Sequence, residues 1–311
     1  KIIVGVNDFV EDDGALIGTL YIDETASATQ LAKLETLRRT RDAARVATAL
    51  DRLRAAAMAP GNLMAPILEA VRAYATVGEG PPLIKTANWL NHLEYDWDSP
   101  IWRHVFRGLA GDHRLIRYDA RGNGLSDWDV EEMSFNAFVR DLESVVEATG
   151  VERFPLLGIS QGCAISIEYA IRNPGRVTRL ILPGGSATGW RTSADLSEIA
   201  RREAMQTLIL HGWGQDNPAF RQVFTSAFIP EGTPEQIRWM NELMRISTSP
   251  QNAVRLQEAL STVDIRDRLA QVRVPTLVLH SRRDGRISYK RGLELAQGIP
   301  NARLITLESN N

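Results

Sequence analysis

A serine between two glycines, directly after a short apolar run, is the feature that most constrains the fold of this chain. The segment Gly158-Ile159-Ser160-Gln161-Gly162 follows Phe154-Pro155-Leu156-Leu157. A strand that ends in G-x-S-x-G and turns sharply into a helix places the serine hydroxyl at the top of a parallel sheet. The glycines are expected because a side chain at either position would collide with the neighbouring strand and helix. The pattern therefore predicts an α/β fold whose chemistry centres on Ser160.

The rest of the chain after residue 82 supports this fold class. We predict strands and helices in alternation, with strands at 83–87, 114–118, 154–159, 177–182, 276–280 and 303–307 and helices at 99–110, 134–149, 161–173 and 289–298. Such alternation is typical of a mostly parallel sheet with helices on both faces. Residues at about 186–270 are mainly helical in pattern, apart from a short strand-like run at 207–210. They are expected to form a helical cap.

Residues 1–78 have a different character. Apolar residues recur at helical spacing between 31 and 57, and Arg41-Asp42 indicates a bend between two helices. A third helix is predicted at about 62–74, before a run of glycine and proline that cannot continue a helix. We therefore predict a mainly helical segment at 1–78 and a separate domain at 79–311.

Composition narrows the range of partners. The formal net charge is -2 and 24% of the residues are charged, so nothing favours a nucleic acid or a membrane surface as partner. The single cysteine, Cys163, excludes an internal disulfide, and we interpret it as a small buried residue rather than a reactive thiol. We expect a cytoplasmic protein with a small-molecule substrate or ligand. No cofactor and no metal are expected, and the sequence gives no basis for an oligomeric state.

From residue 79 onward the chain resembles the α/β-hydrolase family. The residues that carry the resemblance are the serine turn at 158–162, the segment 118–126 with its D-x-R-G-x-G-x-S pattern, and the segment 276–284. Two further segments, 88–94 and 212–218, are similar to the branch that is fused to nucleotide cyclases or helix-turn-helix regulators. The resemblance implies an α/β-hydrolase fold and acyl transfer from a small ester-like substrate to a serine.

The resemblance also implies roles for four residues. Ser160 would be the nucleophile, and Asp284 the acid that orients an imidazole base. The backbone N–H groups of Gln161 and Trp89 would form the oxyanion hole, although the family commonly has His-Gly where this chain has Asn88-Trp89. Three of these positions have a structural alternative: Ser160 as a small turn residue, Asp284 as a polar loop residue, and Trp89 as a core aromatic.

The histidines leave this triad incomplete. Five are present, at His92, His104, His113, His211 and His280. None follows the last predicted strand at 303–307, where the family places its base, so we interpret the chain as truncated before that residue. Loss of a triad member leaves only the residual rate that the oxyanion hole and binding supply. We therefore expect an impaired hydrolase.

Residues 1–78 resemble part of the large chain of methylmalonyl-CoA mutase. The segments that carry this resemblance are 3–7, 22–24, 41–42, 49–50, 62–64 and 70–79. Neither the catalytic barrel nor the D-x-H-x-x-G cobalamin motif of that family is present. The resemblance implies ancestry of the segment rather than mutase activity. Two alternatives to the hydrolase stay open, a ligand-sensing regulatory module without turnover and a fragment of a mutase-type protein.

Overall fold

The computed structural model describes residues 36, 39–57, 80–193, 195–213, 215 and 219–309. The chain divides into two units, Lys1–Val77 and Gly78–Asn311. In the first unit, helix α1 (Ala43–Ala57) buries Val46 and Ala49 on one face. The Asp42 carboxylate accepts a hydrogen bond from the Arg45 N–H (3.0 Å), which caps the helix at the predicted bend. The helix predicted at 62–74 lies outside the described residues.

The second unit is built on a parallel sheet. Its strands are β1 (Pro82–Lys85), β2 (Arg114–Arg117), β3 (Phe154–Leu157), β4 (Val177–Pro183), β5 (Thr276–Ser281) and β6 (Ala302–Leu307). Their order is β2-β1-β3-β4-β5-β6, and every neighbouring pair is parallel. All six coincide with predicted strands, because short aliphatic runs between turn residues are typical of buried parallel strands.

The helices described in this unit lie between consecutive strands. They are α2 (Leu93–Trp97), α3 (Arg103–Asp112), α4 (Phe135–Thr149), α5 (Gly162–Arg172), α6 (Trp190–Ser193), α7 (Leu196–Gly212), α8 (Ala219–Phe228), α9 (Pro234–Ser247), α10 (Pro250–Ala259) and α11 (Tyr289–Gly298), with a 3₁₀ helix at Arg266–Gln271. Helices α3, α4, α5 and α11 were predicted, whereas α2 was not. Within the described ranges, no helix combines the length and the apolar composition that a membrane span requires.

The strand-like run at 207–210 is a wrong prediction. These residues lie inside α7, whose first turn is capped by the Asp195 carboxylate accepting from the Glu198 N–H (2.9 Å). Ile209 is fully buried, whereas Leu208 and Leu210 on either side of it are exposed. A short apolar run fits a strand or a helix equally well, and the helical pattern of its neighbours decides between them.

The strand order determines where a site can form. The chain builds β1 and then β2 on one side, and continues with β3 to β6 on the other side. The loops after β1 and β3 therefore leave two adjacent strands in opposite directions. A position where the strand order reverses in this way creates a crevice at the carboxyl edge of a parallel sheet. Residues 86–93 follow β1, and residues 158–161 follow β3.

Candidate active site

Ser160 occupies the sharp bend between β3 and α5. Its φ is 53°, in the left-handed region that residues other than glycine rarely adopt. The Ser160 N–H donates to the Pro183 carbonyl at the end of β4 (2.9 Å), and the Ser160 carbonyl accepts from the Cys163 N–H (3.0 Å). Ser160 is half-buried, and its hydroxyl makes no hydrogen bond to the described residues. The bend thus presents a hydroxyl without a protein partner at the crevice.

The glycines on either side of Ser160 are crowded, as the sequence predicted. A Cβ on Gly158 would lie 2.4 Å from Ser166 Oγ and 2.5 Å from the Gly162 carbonyl oxygen. A Cβ on Gly162 would lie 3.1 Å from the Ala87 carbonyl oxygen in the loop after β1. The elbow therefore packs against its own helix and against the neighbouring loop, and it leaves little room for a side chain.

Replacement of Gly158 tests this crowding. We expect Gly158→Ala to lower the free energy of unfolding by about 1–3 kcal/mol, because the new methyl group must displace backbone. Gly108→Ala is the matched control, since that exposed glycine in α3 has no atom within 4 Å of the point where a methyl group would lie. The control is expected to be neutral or stabilising by up to about 1 kcal/mol. Urea unfolding curves measure both, and equal effects would contradict the packing described here.

Cys163 lies one turn into α5 and is fully buried. Its thiol donates to the Gly158 carbonyl (2.8 Å), and burial raises the pKa of the thiol far above its ordinary value. A thiol held in this form is a poor nucleophile. The residue therefore supports the elbow as a packing element, as the sequence indicated.

Asp284 follows β5 and is oriented by backbone. Its Oδ1 accepts from the N–H groups of Arg286 (2.8 Å) and Ile287 (2.9 Å). A Cβ on Gly184, the residue after β4, would lie 3.9 Å from Asp284 Oδ2. Because the Ser160 N–H bonds to Pro183 on the same strand end, the serine and the carboxylate flank the carboxyl end of β4. Adjacent strands thus bring two residues that are 124 positions apart to one edge of the sheet.

His280 lies beside Asp284 but is a packed residue. Its Nε2 is 3.8 Å from Asp284 Oδ2 and is hydrogen-bonded to the Ile287 carbonyl instead (2.8 Å). The ring is 1% exposed, and its Nδ1 faces Gly292 of α11, where a Cβ would approach within 2.6 Å. This imidazole is therefore engaged in packing and in its bond to Ile287.

The other histidines lie elsewhere. His92 caps α2 by accepting from the Tyr95 N–H (3.3 Å), and the His113 ring is 3.3 Å from the Leu109 carbonyl. His104 and His211 are exposed on helices. All five histidines belong to the described part of the chain, and there none has an imidazole hydrogen-bonded to Ser160.

The two residues whose backbone N–H groups were predicted as oxyanion donors line one pocket. The Thr86 N–H donates to the Leu157 carbonyl (2.9 Å), which aligns the loop after β1 with the loop after β3. Neither the Gln161 N–H nor the Trp89 N–H is hydrogen-bonded to a described residue, and both residues line the same pocket. The Trp89 indole packs against Trp213, directly after α7, and against Phe228 of α8 (ring centroids 5.8 and 5.5 Å). The Trp89 side chain is thus a buried aromatic, while the Trp89 backbone N–H has no hydrogen-bond partner among the described residues.

This pocket is mainly apolar. Its lining residues are Ala87, Asn88, Trp89, Tyr118, Ala120, Asn123, Phe138, Asp141, Gln161, Ile165, Leu256 and Leu260. Ser160 and Asp284 do not line it; the pocket begins at Gln161, directly beside the serine. Among the described atoms, Trp89 Nε1 and Asn123 Oδ1 are buried without a hydrogen-bond partner. Both atoms are almost inaccessible to solvent, so they belong to the packed wall behind the pocket surface.

The D-x-R-G-x-G-x-S segment acts as a scaffold for this pocket. Asp119 Oδ2 accepts from the N–H groups of Leu93 (3.1 Å) and Leu125 (2.9 Å), and so ties two loops together. Arg121 makes a two-pronged ion pair with Asp141 of α4 (2.8 and 2.6 Å). Gly124 has a φ of 59°, and a Cβ there would lie 2.3 Å from the Asp119 carboxylate. The second glycine of the motif is therefore required by close approach as well as by conformation.

A buried charge cluster lies under the loop after β1, and the sequence pattern did not reveal it. Lys85 is in β1 and donates to the side chain of Asn88 (2.6 Å). Asp96 of α2 accepts from the His92 N–H (3.2 Å), and Arg117 of β2 donates to the Leu93 carbonyl (2.9 Å). One signal was present, because a lysine inside an aliphatic strand between buried neighbours is unusual. A search for the partner of that charge would have drawn attention to this loop.

Burial shifts the protonation equilibria in the cluster. Lys85 has its pKa lowered to about 8, chiefly by desolvation and against the attraction of Asp96. Asp96 is 4% exposed, and desolvation raises its pKa to about 6. Its Oδ1 is buried with no hydrogen-bond partner in the described structure. Ionisation of the Asp96 carboxyl group near neutral pH therefore costs free energy.

Asp96 makes stability depend on pH. Its pKa in the folded state lies above the value of about 3.9 in an unfolded chain, so the folded state binds the proton more tightly. Stability is expected to fall as pH rises from about 4 to about 6, by up to roughly 3 kcal/mol for a shift of this size. We expect Asp96→Asn to flatten this decline, and urea unfolding at several pH values measures it.

Asp98→Asn is the matched control for that measurement. The Asp98 side chain is 74% exposed and pairs with Arg107 on the surface (2.5 Å). The control is expected to keep the wild-type decline between about pH 4 and about pH 6. A decline of equal steepness in Asp96→Asn would show that another group is responsible.

Comparison with protein families gives two matches, in different parts of the chain. The family model for the alpha/beta hydrolase fold matches residues 92–310, which is more than half of the sequence. The chain belongs to the α/β-hydrolase family. A second family model, that of methylmalonyl-CoA mutase, matches residues 1–87.

The described hydrolase domain contains no group of three or more histidine, cysteine or acidic residues arranged to hold a metal ion.

Individual relatives of the hydrolase domain agree with this assignment. The AB hydrolase superfamily protein YisY from Bacillus subtilis is 28% identical over 233 residues, which cover 74% of this chain and 84% of the relative. A pimeloyl-(acyl-carrier protein) methyl ester esterase from Nitrosomonas europaea is 26% identical and covers 74% of this chain and 88% of the relative. The solved structure of the esterase RhEst1 from Rhodococcus sp. ECU1013 has a TM-score of 0.56 at 26% identity, covering 73% of this chain and 82% of that one.

Proposed function

We propose that the hydrolase domain is a serine hydrolase that transfers the acyl group of a small ester-like substrate to Ser160. The observation that carries the proposal is the pairing of an elbow serine with two unused N–H groups, those of Gln161 and Trp89, in residues that line one adjacent pocket. Backbone N–H groups placed in this way stabilise the oxyanion that develops during acyl transfer.

The chemistry follows from these groups. The Ser160 oxygen attacks the ester carbonyl carbon, and its proton passes to an imidazole base. The carbonyl oxygen becomes an oxyanion that accepts from Gln161 and Trp89. Its collapse expels the alcohol, which takes the proton from the base, and water then hydrolyses the acyl-serine by the same steps. Asp284, with Oδ1 already held by backbone, would orient that imidazole through Oδ2.

None of the five histidines is assigned as the base in this proposal. His280 is fixed to Ile287, and the other four serve as a helix cap or lie away from the elbow. We therefore keep the expectation that this chain is impaired as a catalyst. The same proposal takes a small-molecule ester as the partner. It also includes a cytoplasmic location, because a single free thiol fits a reducing compartment.

The substrate class is supported by the pocket and by the relatives. The pocket is lined mostly by aliphatic and aromatic side chains, which favours a compact acyl or alcohol group. Two of the relatives, from Nitrosomonas europaea and Rhodococcus, are named as esterases. An ester with an apolar substituent is therefore the substrate to test first.

Covalent labelling tests the nucleophile. We expect a fluorophosphonate probe to modify Ser160 slowly, and faster when free imidazole is added, because imidazole replaces the missing base. Peptide mapping by mass spectrometry locates the adduct. Ser160→Ala should abolish the adduct, whereas Ser186→Ala, in the loop after β4, should leave it unchanged.

Lack of an adduct on Ser160 both with and without imidazole would overturn the proposal. The alternative is a domain that binds a ligand without turnover. It is favoured by the same mainly apolar pocket, which can hold a ligand whether or not Ser160 reacts. Saturable binding of an unreactive ester analogue, measured by calorimetry on a protein that does not label, would support that alternative.

A further inference from the structure

Lys85 is a charged residue in the interior of the sheet. It is the last residue of β1, which pairs with β2 on one side and β3 on the other. The residue is 5% exposed, and its ammonium lies 6.0 Å from the centre of the Phe106 ring. A buried ammonium carries a desolvation cost of several kcal/mol that its contacts must offset.

The contacts of this ammonium are directed at the loop after β1. Lys85 Nζ donates to Asn88 Oδ1 (2.6 Å) and to the Thr86 carbonyl (3.2 Å). The Asn88 amide in turn donates to the Trp89 carbonyl (3.4 Å). A chain of hydrogen bonds thus runs from β1 to Trp89, one of the residues that line the pocket.

The charges around Lys85 come from three elements. Asp96 of α2 and Asp119 after β2 attract it, whereas Arg117 of β2 repels it. Asp119 binds the Leu93 N–H and Arg117 binds the Leu93 carbonyl, so the far end of the same loop is also held. The cluster therefore fastens the loop at both ends, at Asn88 and at Leu93.

Stability alone does not account for such a lysine. An apolar side chain of similar volume in a buried position is often neutral or stabilising relative to a buried ion pair. Hydrogen-bond donors act on a developing oxyanion only when they are held in place before the reaction.

We propose that Lys85 is a positioning residue for the oxyanion loop, acting through Asn88 to hold the Trp89 N–H toward the pocket. This inference rests on the proposed function, because the Trp89 N–H needs positioning only if an oxyanion forms there. Lys85 does not contact the reacting atoms. Its role is to keep the second donor in register with the Gln161 N–H.

The reaction of Ser160 with a fluorophosphonate in the presence of imidazole measures the consequence. We expect Lys85→Met to lower the maximal labelling rate constant by about 10- to 100-fold, since one oxyanion donor is displaced. The half-saturating probe concentration should change little. A purely structural role would instead lower the fraction of protein that labels and leave the rate of that fraction unchanged.

Variants of Asn88 keep the test valid if Lys85→Met does not fold. Asn88 is only half-buried, and Asn88→Ala removes the acceptor while Lys85 stays. The same loss of rate is expected for Asn88→Ala, and no further loss is expected in the double variant, because both changes break one chain of contacts. Asn88→Asp keeps an oxygen acceptor for the ammonium and should retain most of the rate.

Hydrogen exchange of the loop provides a readout without chemistry. Peptides that cover residues 86–93 should exchange at least about 10-fold faster in Lys85→Met and Asn88→Ala than in the wild type, because the loop opens more easily once its anchor is lost. Peptides from α11 should be unchanged. Protection of the loop that is equal in all variants would overturn the inference, as would equal labelling rates.

The two proposals fail in different ways. A wild-type protein that forms no adduct on Ser160 contradicts the proposed function, and the oxyanion role of Lys85 falls with it. A wild-type protein that labels, together with Lys85→Met and Asn88→Ala variants that label at the same rate, contradicts the inference alone.

Discussion

The bend at Ser160 is the constraint on which the site depends. The backbone passes from β3 into α5 within a few residues, and Ser160 in this bend has a left-handed backbone conformation. The bend packs so closely that positions 158 and 162 have little space for a Cβ. Backbone strain of this kind persists only where the surroundings hold it. Here the end of β4 supplies that support through the Pro183 carbonyl, and the same strand end separates the serine from Asp284. The direction of the hydroxyl and the position of the acid thus derive from one piece of sheet.

The two sides of the crevice are held by different interactions. The serine side is held by close packing, and small residues are sufficient there. The side formed by the loop after β1 carries bulky residues and is held by buried polar contacts, from Lys85 to Asn88 at one end and from Asp119 and Arg117 to Leu93 at the other. Buried polar networks specify one conformation when they are satisfied and are costly when they are not. Asp96, with its unpaired oxygen and raised pKa, is the weak point of this network.

The two family matches meet at the edge of this site. The mutase match extends to residue 87, whereas the hydrolase match begins at residue 92. The structure pairs β1, at Pro82–Lys85, with β2 and β3 of the hydrolase sheet. Lys85 and residues 86–91 of the loop after β1 are therefore structural parts of the hydrolase domain, although they lie outside the hydrolase match. Resemblance by sequence and membership of a sheet follow different boundaries here.

The sequence by itself determined the elements with a strong local pattern. The six strands, the four helices beside them and the glycine requirement at the elbow were predicted, because aliphatic runs, helical spacing and G-x-S-x-G are signals within a few residues. The run at 207–210 fits a strand or a helix when only a few residues are considered, and the helical turns around it make it part of α7. Only the tertiary structure decided which groups meet: His280 with Ile287, the Trp89 indole with Trp213, and the Lys85 ammonium with Asn88. Such contacts depend on the order of the strands and on which side chains are desolvated in the fold. The spacing of neighbouring residues encodes neither.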